Sequence, residues 1–258
     1  MAQTRKRQPR KAGRRGSPGC LSALFLVAVI AAVAVAAIFI FFKMQYIEVV
    51  GVEHYTDAQV IAASGAETGS NLVFIGKGSM AREIASELPY VSEVKITRRL
   101  PNTLVITVTE TKAVAYFESS GSYWLADSVG KLLERVSSEP LGLIRVDGVQ
   151  PVTPVEGMTV DLGEEGDLRL RTYVDAIEAF DRSGMTGSVQ KMDLSGLYDV
   201  SIECSGRFKV DLGAPENLDY KIEFLYEIVN TKLAPNQKGS IDLSNLIEKG
   251  EARFLEEY

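Results

Sequence analysis

Few residues in this chain are of a kind from which a reaction could be built. A serine triad needs a histidine base, and the only histidine in 258 residues is His54. No Gly-x-Ser-x-Gly elbow accompanies it, and it reads as a surface turn residue. A Ser–Lys dyad is marked by no motif. Residues 76–79 (GKGS) imitate part of a phosphate-binding loop, but Asn71 stands where the first glycine belongs, and Gly78 where Ser or Thr is required. Two cysteines, Cys20 and Cys204, leave no disulfide or thiolate metal set in the outer part. Cys204 reads as a small buried strand residue. One histidine and scattered carboxylates are a poor metal set. The 34 acidic residues carry no spacing that would single out a glycosidase pair, and read as a solvated surface. No catalytic residue, cofactor or metal is expected.

The chain is organised instead by one uncharged run, Cys20 to Phe42, free of Pro and Gly. As a helix rising about 1.5 Å per residue it extends roughly 34 Å, enough to cross a hydrocarbon core of about 30 Å. Seven cations precede it (Arg5, Lys6, Arg7, Arg10, Lys11, Arg14, Arg15) with no acid among them. By the positive-inside rule the N-terminus is cytoplasmic and the C-terminus outside. A cleaved signal peptide has a shorter apolar core, with its cleavage site after the run; here the small-residue triplet Ala32–Ala34 lies in the middle, so an uncleaved anchor is expected. Residues 1–19, rich in Arg, Lys, Gly and Pro, are predicted to be disordered. Of 28 basic residues seven are in the tail, so 21 basic face 34 acidic residues outside, a net charge of −13. An acidic exterior argues against nucleic acid or an anionic polymer as partner.

Beyond the run the pattern predicts strand, helix, helix, strand, strand. Tyr46–Val52 reads as a strand. Thr56 is a helix N-cap with Gln59 in the capping-box position; Gly65 ends that helix, and Leu72–Ile75 dip toward a core. A second helix, Ser79–Leu88, places Met80, Ile84 and Leu88 on one stripe and stops at Pro89. In the last strand Leu104, Ile106 and Val108 share a face, which should receive Ile84 and Leu88. Pro101 is expected at the tip of the final hairpin. Residues 47–61 (IEVVGVEHYTDAQVI), 69–75 (GSNLVFI) and 88–110 (LPYVSEVKITRRLPNTLVITVTE) resemble a POTRA domain of the FtsQ/DivIB cell-division family. His54 departs from that pattern, which usually has Asn there.

Farther on, short strands are predicted at Val114–Glu118, Tyr123–Ala126 and Leu132–Val136, with turns at Gly121-Ser122 and Asp127–Gly130. Residues 147–165 read as a loop and Asp167–Phe180 as a helix with Leu170, Val174 and Ile177 in register. Strands follow at Val189–Leu194, Asp199–Cys204 and Phe208–Leu212. A last helix carries Leu218, Ile222, Leu225 and Val229, and extended stretches occur at Gly239–Leu243 and Ala252–Leu255. Residues 124–133, 210–229 and 239–244 resemble the β domain of the same family. The fold class is therefore α+β: a tail (1–19), one transmembrane helix (20–42), a POTRA domain (45–113), and a mostly antiparallel β domain with flanking helices (114–258).

The resemblance implies a non-enzymatic, single-pass scaffold at the division septum. It would bind membrane partners of the FtsB/DivIC and FtsL type and influence septal peptidoglycan synthesis, with no nucleic acid or small-molecule substrate. It also implies a partner-binding edge after the last helix, made of Ile241, Asp242, Leu243, Ser244 and Asn245 with Ala252, Arg253, Phe254 and Leu255. A proline at Arg253 would then remove a donor from the docking strand. The bland alternative is an ordinary edge strand blunted by Lys249, Glu251 and Glu256. Other functional readings are a POTRA-bearing polypeptide-translocation component, which usually has several such units or a membrane barrel, and a cell-surface hydrolase.

Overall fold

A computed structural model describes residues 18–257. The seven cations of the tail lie outside the described residues, as does the expectation of disorder for 1–19 except at Pro18 and Gly19, which form the start of the first helix instead. The apolar run forms helix α1 (Pro18–Phe41). Its stretch Ser22–Phe41 is long and apolar enough to cross a membrane. Large side chains on every side of it, among them Leu24, Phe25, Ile30 and Phe39, are exposed. An all-round apolar surface without protein cover suits lipid.

After α1 come β1 (Tyr46–Val50), α2 (Asp57–Ala63), a 3-10 turn (Leu72–Phe74), α3 (Lys77–Glu87), β2 (Val91–Arg99) and β3 (Thr103–Glu110). The three strands form a sheet in the order β1-β3-β2, β1 parallel and β2 antiparallel to β3. Both halves of the capping box form: the Thr56 side chain accepts from the Gln59 N–H, and the Gln59 side chain accepts from the Thr56 N–H. Met80 and Ile84 of α3, and Leu88 just past its end, are buried in one cluster with Leu104 and Ile106 of β3. Pro101 lies in the β2–β3 turn, after a cis peptide bond with Leu100. One expectation fails here. Of residues 72–75 only Leu72 is fully buried, while Val73 and Phe74 face outward at 40% and 65% exposure.

The loop between β1 and α2 is held by one carboxylate. Glu110, at the end of β3, accepts the successive backbone N–H groups of Glu53 (2.9 Å), His54 (2.5 Å) and Tyr55 (3.2 Å). Burial alone would raise its pKa; the three N–H groups outweigh that and hold it below the ordinary 4.5. A carboxyl whose folded pKa is depressed adds stability above its unfolded pKa and loses it as pH falls through the folded value. Glu110→Gln is therefore expected to melt earlier than the parent at pH 7, with the gap closing below about pH 4. Parallel melting curves across that range would assign the clamp no weight.

The remaining chain folds into nine strands and three helices. The strands are β4 (Ala115–Ser119), β5 (Ser122–Ala126), β6 (Leu132–Val136), β7 (Ile144–Asp147), β8 (Val189–Asp193), β9 (Val200–Cys204), β10 (Phe208–Gly213), β11 (Gly239–Asp242) and β12 (Arg253–Glu256). The helices are α4 (Gly166–Ser183), α5 (Leu218–Glu227, continued by a π-helical turn, Ile228–Lys232) and α6 (Leu246–Lys249). The sheet order is β12-β11-β10-β9-β8-β7-β4-β5-β6. The pairs β10–β11, β7–β8 and β4–β7 are parallel and the other five antiparallel, so the α+β class with a mostly antiparallel sheet is correct. Helices α4 and α5 share one core with the inward side chains of β4 and β7–β11, including Phe117, Val146, Met192, Val210 and Ile241. Cys204 is buried in it, and burial pushes its thiol up to about 11.

The structure corrects three local readings and adds a buried lysine. The β4–β5 turn is Ser120-Gly121, both at positive φ, and Ser122 already belongs to β5. Strand β7 has no counterpart among the predicted strands; it is short, and its partners β4 and β8 are distant in sequence. The buried face of α4 is Tyr173, Ala176, Ile177 and Phe180, while Leu170 and Val174 only flank the core. On α5, between apolar positions, Lys221 is buried at 2% exposure. Its Nζ donates to the carbonyls of Leu212 (2.7 Å) and Ala214 (2.6 Å), and burial lowers its pKa. The aspartate–glycine hairpin after β5 is explained directly. Asp127 Oδ1 accepts from Val129 and Lys131 N–H at 3.0 and 2.9 Å, and Gly130 takes a φ of +80° where a Cβ would strike Leu170.

The two sheets meet through Tyr90, Tyr116, Leu125 and Leu133, with Tyr55 and Tyr123 packed alongside. Lys131 Nζ adds a bond to the Val91 carbonyl at 2.8 Å. His54 lies at this junction, exposed but stacked on Tyr90 with ring centroids 3.9 Å apart.

Candidate partner-binding surface

The two stretches named as a docking edge are brought together as adjacent antiparallel strands, β11 and β12. Their roles differ. Strand β11 is paired on both sides, to β10 and to β12. Ile241 is 1% and Leu243 0% exposed. These two side chains belong to the core, so a docked chain cannot reach them without unfolding it. Asp242 and Ser244 are half-buried and bonded to each other: Asp242 Oδ1 accepts from the Ser244 N–H (2.9 Å) and hydroxyl (2.6 Å). Those bonds, the hydroxyl foremost, lower the pKa of Asp242. Asn245 stands at the N-cap position of α6 without a side-chain capping bond, and Gly250 (φ +67°) ends the helix. Ala252 is exposed and leads into β12.

Of these two strands only β12 has an unpaired side. Its register with β11 is Gly239↔Glu256, Ser240↔Leu255, Ile241↔Phe254 and Asp242↔Arg253. Just beyond it the Glu257 N–H donates to the Lys238 carbonyl at 3.0 Å. Because hydrogen-bonded and non-hydrogen-bonded pairs alternate in an antiparallel ladder, Ser240/Leu255 and Asp242/Arg253 are the bonded pairs. The N–H and C=O groups of Phe254 and Glu256 therefore point away from the sheet. This changes the reason for the expected effect of a proline at Arg253: the donor lost there belongs to the β11–β12 ladder, not to the outer edge. Glu256, absent from the predicted set, supplies one of the two free donors. Strand alternation onward from Phe254 is the signal that could have found it.

The edge is amphipathic. Phe254 turns inward, half-buried, with its ring edge-on to Phe208 at 6.2 Å between centroids. Leu255 lies on the opposite face, 69% exposed. That face continues across β11, β10, β9 and β8 as a polar surface carrying Asp242, Asp211, Lys209, Glu203, Asp193 and Lys191. Asp211 sits directly beside Asp242 in the parallel pair. Burial, followed by the charges of Asp199 and Asp242, raises its pKa despite a bond from the Gly213 N–H. Among the described residues no group of three or more His, Cys, Asp or Glu side chains is placed to hold a metal ion.

Comparison with known proteins agrees with this architecture. Residues 42–111 match the family model of the FtsQ-type POTRA domain. A cell division protein DivIB of Clostridium acetobutylicum is 25% identical over 205 residues, covering 79% of this chain and 80% of that one. A cell division protein FtsQ of Corynebacterium glutamicum is 26% identical over 193 residues, covering 74% and 81%. The major extracytoplasmic domain of DivIB from Geobacillus stearothermophilus aligns at 10% identity with a TM-score of 0.31, over 49% of this chain and 98% of that domain, too loosely to bear on the fold. With a match to the FtsQ-type POTRA domain behind an apolar N-terminal helix, and similarity running along three quarters of its length, the chain is similar to the DivIB/FtsQ bacterial cell-division proteins.

Proposed function

We propose that this protein is a non-enzymatic, single-pass scaffold of the bacterial division machinery. It binds partners of the FtsB/DivIC and FtsL type and helps to control septal peptidoglycan synthesis. The N-terminus is cytoplasmic and the folded part extracytoplasmic, at the septum; the seven cations before α1 support that orientation. Division into a POTRA domain (45–113) and a β domain (114–258) belongs to the same reading, supported by the two separate sheets.

One observation carries the binding role. Strand β12 ends the nine-stranded sheet with outward backbone groups at Phe254 and Glu256, and an incoming strand can pair with them. Strand addition takes affinity from main-chain bonds and specificity from alternate side chains. Glu256→Pro removes one outward donor and leaves the β11–β12 ladder intact. It is expected to weaken capture of the FtsB/DivIC-type partner about tenfold, near the upper worth of one such bond. Glu256→Ala, which keeps the donor, should capture almost normally. Equal capture by a folded Glu256→Pro variant would place the docking site elsewhere.

A further inference from the structure

The strand that follows the membrane helix does not simply lead away from it. The loop between α2 and α3 returns to the end of α1 and is bonded to it. The Asn71 Nδ2 donates to the Ile38 carbonyl at 2.9 Å, and the Leu72 N–H donates to the Phe42 carbonyl at 2.8 Å. Met44 and Gly69 close the loop, through Met44 N–H to the Ser70 carbonyl (2.8 Å) and Gly69 N–H to the Met44 carbonyl (2.7 Å). The Ile38 carbonyl also accepts the Phe42 N–H at 3.3 Å, so Asn71 adds a second bond to it; the Phe42 carbonyl, past the helix end where carbonyls lack intrahelical partners, is taken by Leu72, and the loop serves as the C-terminal cap of α1. The Phe74 ring stacks on Phe39, centroids 5.4 Å apart and planes inclined by 29°.

Phe39 and Ile38 both lie inside the apolar stretch Ser22–Phe41. At about 1.5 Å per residue, Phe39 sits about 3 Å below the last residue of that stretch. A ring stacked on it, and an amide bonded to Ile38, share its depth. Val73 and Phe74 nevertheless leave 40% and 65% of their surface uncovered, while Leu72 in the same turn is fully buried. In water, that exposure would be a cost with no return. At the boundary of a bilayer, where aromatic rings settle, it is favourable.

We infer that the turn Leu72–Phe74 is a second membrane contact, with Val73 and Phe74 seated in the apolar boundary of the leaflet from which α1 emerges. The occupant of this surface is lipid, because the surface is continuous with the membrane-spanning helix. The inference rests on the reading of α1 as a membrane span. The contact fixes the three-stranded sheet against the bilayer as well as to the helix end.

The test uses the full chain in nanodiscs whose lipids carry bromine on either shallow or deep acyl carbons. In a Trp124→Phe background, single tryptophans are placed by Phe74→Trp, by Val33→Trp in the middle of α1, and by Tyr198→Trp in the exposed loop between β8 and β9. The Phe74→Trp variant is expected to lose about half its emission with shallow bromine and less with deep bromine, as a residue at the interface should. Position 33 should respond most to deep bromine and position 198 to neither. Quenching at 33 together with a response at 74 like that at 198 overturns the lipid contact alone. Absence of quenching at 33 overturns the membrane span, and the contact with it.

Discussion

Ile84→Ala is expected to lower the unfolding free energy of the three-stranded sheet and its helices by about 2–5 kcal/mol. Ile84 has no exposed surface and is clustered with Val60, Leu72, Leu104 and Ile106. Removing its branched side chain forfeits the transfer energy and leaves a void that the surrounding elements can only partly close. Two constraints limit that closure. Helix α3 is tied at its C-terminal end by the Leu88 N–H bond to Ile84 and by Pro89 beyond. Strand β3 is the middle of the sheet and cannot slide without breaking ladders on both sides. Amide exchange along β3 reads the effect locally, and denaturant titration reads it globally. Unchanged exchange in β3 would mean that α3 presents a different face.

The second large effect is expected at Gly239. A Cβ there would overlap the Leu255 carbonyl oxygen and come within 3.0 Å of Glu256 Cα, and the residue has a φ of +154°. Backbone atoms cannot rotate aside as a side chain can, so Gly239→Ala should push β12 off β11. The side chain chiefly lost from the core is Phe254, which is only half-buried. Global melting should therefore fall modestly, while amide protection at Arg253 and Leu255 disappears. If β12 is the docking strand, partner capture should fall tenfold or more, about 1.4 kcal/mol. Arg253→Pro should act in the same way, because its N–H belongs to the β11–β12 ladder. Retained protection at Leu255 in Gly239→Ala would show that β11 yields instead of β12.

Much of this protein is determined by short-range pattern. The apolar run from Cys20 contains no charged residue, no Pro and no Gly, so its helix follows from composition and length alone. The Thr56–Gln59 capping box, the stripe Met80–Ile84–Leu88 and the alternation Leu104–Ile106–Val108 each act within a few residues, and each forms as read. Three features needed the tertiary structure. Strand β7 holds only four residues, and its place between β4 and β8 comes from parallel pairing with distant segments, which leaves no local signature. Phe74 reads as a core residue by hydrophobicity; the fold of the loop back onto α1 turns it outward, beside Phe39. The candidate docking edge divides for the same kind of reason. Residues 241–245 and 252–255 look equally strand-like in sequence, but sheet order buries Ile241 between two neighbours and leaves β12 at the rim. Periodicity tells a residue which face of a strand it occupies. Which strand is last, and which of its amides remain unpaired, is decided only when all the strands are in place.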